Sequence, residues 1–124
     1  MKLTFKGGIH PYEGKELTMD KDVIEYVPKG DMVYPLSQHI GAPAKAVVKK
    51  GDRVLVGQLI AEAGGFVSAN IHSSVSGTVK AVEPRLTASG SKVNSIVIEN
   101  DNQFEEIEYV KNEKPLAELT KEEI

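Results

Sequence analysis

Three histidines, two adjacent serines and one glycine pair are the residues of this chain with the most chemistry to offer. His10, His39 and His72 lie 29 and 33 residues apart, without the i, i+4 or short-loop spacing by which a chain assembles imidazoles around zinc. Hydrogen-bonded structural histidines are the simpler reading. His72 beside Ser73 and Ser74 does not make a hydrolase, because sequence neighbours seldom face each other in a triad and no G-x-S-x-G elbow surrounds either serine. Neither phosphate-cradling motif, G-x-G-x-x-G or G-x-x-x-x-G-K-[ST], occurs. The acidic run Glu105-Glu106-Ile107-Glu108 reads as a solvated strand or loop rather than a cation site. Cysteine is absent, which removes disulfides, thiolate zinc, Cys-held iron–sulfur clusters and a Cys nucleophile from these 124 residues. No catalytic, cofactor-binding or metal residue is therefore assigned.

The elements that would position such residues follow from composition and pattern. With 40% hydrophobic and 27% charged residues, 124 residues make one domain with a core of its own. The net charge of −3 divides into +3 over residues 1–98 and −6 over 99–124. Neither part carries the basic stripe of a phosphate-backbone binder, so no nucleic-acid partner is expected. The longest apolar stretch, Val54 to Val67, is interrupted by Gln58 and Glu62 and falls short of the roughly 20 residues of a membrane-spanning helix. Direct membrane insertion is not expected. The first eight residues lack the apolar h-region of a signal peptide, and a cytoplasmic location is expected.

Three stretches differ in character. Residues 1–32, with Gly7-Gly8 and Pro11, show no sustained period and read as an extended wrap around a core. Residues 33–101 hold short β-branched runs broken by glycine: Ala46-Val47-Val48, Val54-Leu55-Val56, Val75 to Val79, and Val93 with Ile96-Val97-Ile98. Such runs predict short strands with tight turns in an all-β sandwich or barrel, and apolar residues on both parities suggest cover on both faces. Residues 102–124 form an acidic connector leading into a helix start: Thr120 as N-cap, Glu123 completing a capping box, Leu119 and Ile124 as the hydrophobic staple. A single turn cannot offset its own nucleation, so the chain reads as a fragment of a longer protein.

The segment Lys49-Lys50-Gly51-Asp52-Arg53-Val54, continuing through Gly57-Gln58-Leu59-Ile60, resembles the biotinyl/lipoyl hammerhead. Ser74-Val75-Ser76-Gly77-Thr78-Val79 is similar to its second-half corner. A carrier of that family presents a modified lysine on the hairpin between these corners, yet no lysine lies between Lys50 and Lys80. Attachment of biotin or lipoate at the expected place is chemically impossible.

A wider match names a closer family. Phe5-Lys6-Gly7-Gly8-Ile9-His10-Pro11, Pro35 to Ala44, Gly65-Phe66-Val67-Ser68-Ala69 and Ile71 to Val79 together resemble the N-terminal domain of the C subunit of the Rnf electron-transport complex, an ion-translocating ferredoxin:NAD oxidoreductase. The resemblance covers about residues 3–101. It implies a barrel-sandwich hybrid at the front of a peripheral subunit on the cytoplasmic face of the membrane, with FMN, NADH and two [4Fe-4S] clusters carried downstream of this domain. Its implied partners are the rest of its own subunit and the other Rnf subunits, with NADH and ferredoxin met only indirectly. Gly64-Gly65-Phe66 lacks the flanking residues of that family's flavin loop and is read as a structural turn. Two alternatives stand beside this reading: the N-terminal domain of a sodium-pumping NADH:quinone reductase A-type subunit, and a free-standing adaptor or small-molecule binding module.

The isolated chain is thus expected to be a structural and docking module. Its candidate docking residues are Gly64, Gly65, Phe66 and Val67, at the tip of the hairpin from Glu62 to Ile71. Phe66 and Val67 are either tucked under that hairpin or presented to a partner. Expressed with active biotin and lipoyl ligases, the chain should keep its unmodified intact mass; an adduct on Lys50 or Lys80 would contradict the lysine argument.

Overall fold

Val93 and Ile96 to Ile98 lie in the strand that organises the rest. The computed structural model describes residues 7–109 and 120–121. Seven strands run in the order β1 (Asp31–Pro35), β2 (Lys45–Ala46), β3 (Arg53–Val54), β4 (Leu59–Glu62), β5 (Ile71–His72), β6 (Gly77–Leu86) and β7 (Lys92–Asn100). They make two antiparallel sheets, one of four strands in the order β1-β7-β6-β3 and one of three in the order β2-β4-β5. Tyr34 pairs with Ile96, while Met32 and Val79 both pair with Ile98. These cross-strand partners share the inner face and meet Val54, Ile60 and Val75 in one cluster. Val97 points the other way, between Val33 and Ala81, and is buried as well.

Two hydrogen-bonded turns close the body. At 49–52 the Asp52 carboxylate accepts from the Lys49 amide at 2.9 Å and the Asp52 amide donates to the Lys49 carbonyl at 3.1 Å. Gly51 supplies the left-handed backbone, with φ of 95°. The turn then zips onto β6, since Gly51 N–H donates to Val79 O and Val79 N–H donates to Asp52 O, both at 2.8 Å. At 55–58 the Gln58 side chain accepts from the Leu55 amide at 3.0 Å.

The structure moves several boundaries. The body begins at Asp31 rather than residue 33, because β1 pairs with β7 from Asp31↔Glu99 onward. It also runs past residue 101: Phe104 packs on the core, and Val56 bonds to the chain at Glu105 (2.8 Å) and Ile107 (3.1 Å). Val56 therefore serves this edge and is only half-buried, whereas Val54 enters the core alone. Val47 is exposed, as β2 is confined to Lys45–Ala46. Residues 7–27 are exposed throughout and lie outside the core instead of wrapping it. The capping box at Thr120 and Glu123 with its staple falls largely outside the described residues.

A polar lock holds the end of β7 to the start of β6. Asp101 Oδ1 accepts from the Ser76 hydroxyl at 2.7 Å and from the Gln103 amide at 2.9 Å. Its Oδ2 makes no hydrogen bond and faces Arg53 Nη2 at 2.6 Å, a guanidinium nitrogen that also reaches Glu105 at 2.9 Å. The Gln103 amide above all, then the Ser76 hydroxyl and Arg53, hold the Asp101 carboxyl below its ordinary range. A carboxyl lowered by folding stabilises the fold above its unfolded value near 4, and that contribution is lost as pH falls through the folded value. Asp101→Asn should therefore be less stable than wild type at neutral pH, with the gap in denaturant midpoint narrowing from about pH 5 downward. A gap independent of pH would show that the carboxylate charge is not what stabilises the lock.

Candidate functional site

The hairpin joining β4 to β5 projects from the three-stranded sheet, and its tip is braced by the loop 37–43. Gly41 has φ of 107°, and a side chain there would run into the Val67 backbone carbonyl; only glycine allows that approach. The Ala42 amide donates to that same carbonyl at 3.0 Å. On the other side of the turn, a Cβ at Gly64 would overlap the Pro43 carbonyl oxygen. Both contacts need a bare backbone at the point where loop and hairpin touch.

His39 ties the two segments by its ring. His39 Nε2 lies 3.0 Å from the Ala42 carbonyl, 3.1 Å from the Ser68 hydroxyl and 3.2 Å from the Ala69 amide; bare, it accepts from that amide, and protonated, it donates to that carbonyl or that hydroxyl, so either tautomer ties the two segments. The Ser68 hydroxyl also accepts from the Gly64 amide at 3.0 Å. At the foot of the turn Asn70 Oδ1 accepts from the Ala63 amide at 2.8 Å. The amides of Ala63 and Gly64 are thus paired within the hairpin, and that of Ala69 is tied to the loop through His39.

What the brace leaves outside is apolar. Phe66 has a relative exposure of 105%, Val67 is more than half exposed, and Ile40, next to Gly41, is exposed on the loop that packs on Val67. Of the two placements open for Phe66, the structure takes the outward one: Gly65 packs toward Ala42 and Gly64 toward Pro43, which fills the space under the turn. Gly64, Gly65, Phe66 and Val67 thus divide into two supporting glycines and two presented side chains. His39 takes the hydrogen-bonded structural role read from the sequence, whereas Ile40 is the residue that sequence reasoning missed; it stands in the stretch Pro35 to Ala44, where an isoleucine beside a glycine is the available signal.

The other residues singled out for chemistry are separated and occupied. His10 is exposed in the chain before β1. His72 Nδ1 donates to the Gly57 carbonyl at 2.9 Å. Buried Ser73 donates to the Val75 carbonyl at 2.6 Å, and Ser74 pairs with the Tyr34 hydroxyl at 2.9 Å. Glu105 is held by Arg53. Among the described residues, no group of three His, Cys, Asp or Glu side chains comes together around a place for a metal ion.

With this geometry in view, the comparisons are direct. The family described as the RnfC barrel sandwich hybrid domain matches residues 3–103. The chain belongs to that family. It is 54% identical over 99 residues to the C subunit of the Na(+)-translocating ferredoxin:NAD(+) oxidoreductase complex of Acetobacterium woodii, covering 79% of this chain and 22% of that protein. It is 42% identical over 125 residues to the C subunit of the proton-translocating ferredoxin:NAD(+) oxidoreductase complex of Clostridium ljungdahlii, covering all of this chain and 27% of that protein. The C subunit of the ion-translocating oxidoreductase complex of Rhodobacter capsulatus is 47% identical over 103 residues, 81% of this chain and 20% of that protein. The chain thus spans between a fifth and about a quarter of the length of these curated relatives.

The clusters that the RnfC resemblance implies do not fit this hairpin, since a cluster needs thiolates and the chain has no cysteine. No helix among the described residues is long and apolar enough to cross a membrane. Because the RnfC hairpin is held through His39, His39→Ala should speed hydrogen exchange at the Gly64 and Ala69 amides while Ile96 and Ile98 in the core keep their protection. Equal loss in both places would mean that His39 supports the whole domain and not the tip.

Proposed function

We propose that this RnfC domain is a non-catalytic docking module of a peripheral subunit in an ion-translocating ferredoxin:NAD oxidoreductase complex. The observation that carries the reading is the fully exposed Phe66 on a hairpin whose backbone is already braced. An exposed aromatic held by a rigid turn loses little entropy on binding, which suits an anchor. Phe66, Val67 and Ile40 form the apolar contact, and Gly64 and Gly65 set its height. The contact holds the rest of the subunit, or a neighbouring subunit, in place. In this reading FMN and two [4Fe-4S] clusters belong to the downstream part of the subunit, NADH and ferredoxin are met there, and the assembly lies against the cytoplasmic face of the membrane.

Two relatives support a role shared across coupling chemistries, since one is named for sodium and the other for protons. A domain common to both suits positioning rather than ion choice. Neither the quinone-reductase alternative nor a free-standing adaptor is favoured by these matches. The test is Phe66→Ala in the full-length subunit, read by unfolding midpoint and by assembly with the complex. An unchanged midpoint with contact weakened by about 2 kcal/mol, the scale of an anchor residue, is the expected result. Assembly at the wild-type level, or a destabilised domain, would overturn the docking role.

A further inference from the structure

Residues 7–27 are as apolar as the chain that folds: eight of the 21 are large hydrophobics, close to the 40% hydrophobic content of the whole. A solvated tail is poor in such residues. Yet Ile9, Leu17, Met19, Val23, Ile24 and Tyr26 are all exposed, Val23 completely. The core owes this segment nothing, since Val54, Ile60, Val75, Ile96 and Ile98 are fully buried within a cluster formed by later residues. The segment's hydrogen bonds run within itself: Thr18 and Met19 amides to the Lys15 carbonyl at 2.9 Å, and the Tyr12 hydroxyl to Glu16 at 2.6 Å. A tie to the body comes just after it, where Asn100 Nδ2 donates to the Pro28 carbonyl at 2.9 Å.

We infer that residues 7–27 are a docking strap for the downstream part of the same RnfC polypeptide. Three observations choose this occupant. The family match takes in the strap as part of the domain, from residue 3 onward, so the segment is a family feature and not a private tail. In the relatives the matched region is 20–27% of the protein, so most of each polypeptide lies outside it and is held at high effective concentration by covalent linkage. Fully extended, 21 residues reach roughly 70 Å, about twice the width of a body of this size, so the strap can lie along a neighbouring domain. Its net charge of −3 asks for an apolar track with basic margins. The inference rests on family membership and is independent of the Phe66 contact.

Hydrogen exchange on the full-length subunit purified alone, on the assembled complex and on the 124-residue chain tests it. Amides of residues 8–27 should exchange at least tenfold more slowly in the isolated full-length subunit than in the short chain. Val23→Asp with Ile24→Asp should restore fast exchange there and leave Ile96 and Ile98 protected. Protection only in the assembled complex would assign the strap to another subunit and overturn the inference. So would concentration-dependent protection in the short chain, which would mean a second copy, or no protection anywhere. A failed Phe66 experiment leaves these readings unaffected, because Phe66 lies outside the strap.

Discussion

Strand β7 is hydrogen-bonded along both edges, to β1 from Asp31 to Pro35 and to β6 from Gly77 to Leu86. That double pairing is the constraint on which the rest depends. It fixes Ile96 and Ile98 on the inner face and leaves Val97 on the outer one. Gly77 lets β6 come so close to β7 that any side chain there would strike the Glu99 backbone. The Asp101 lock follows at the end of the same strand, and the turn at 49–52 attaches to the same β6 through Val79. With the four-stranded sheet so fixed, the smaller sheet closes the core by contributing Ile60, Ala61 and Ile71. Its hairpin is then free to project.

Much of this was legible in the residues. Gly51-Asp52 and Gly57-Gln58 marked two real corners, and the β-branched runs marked β6 and β7, because turns and strands are encoded by contacts a few residues apart. What was not legible depended on partners distant in sequence. Val56 shares the β-branched run of Val54, but it is bonded to the chain at 105–107 and stays half-buried. Val47 belongs to an apolar run, yet its side chain is exposed although its amide donates to the Ile60 carbonyl of β4 at 3.0 Å. The apolar residues on both parities came partly from a bulge: the register shifts between Val79 and Ala81, so Val79 and Val82 lie on one face although three residues apart. At the candidate site, the glycines and Phe66 were visible as a turn, while the brace from His39 joins residues 29 and 30 positions apart and has no local signal.

The hairpin invites comparison with the hammerhead carriers that the sequence resembles. In those proteins the tip delivers a tethered group; here the lysine is missing and the same protrusion ends in Phe66 and Val67. The fold thus keeps a rigid finger while exchanging a covalent cargo for an apolar surface. On the readings proposed above, the exposed apolar segment before Pro28 would add a second contact of the opposite kind, long where the hairpin is compact, and the two together would hold large neighbours in register.

The bulge at Lys80 carries one more consequence. Beyond it the strand pair runs on as an arm, with Val82 and Leu86 on the face that continues from the core and Glu83 ion-paired to Arg85 at 2.7 Å on the other. Side chains alternate along a strand, so the extra residue acts as a phase shift between body and arm. Which face of the arm is greasy and which is charged is therefore stored as a single backbone step, and losing that step would turn the arm inside out without altering any of its residues.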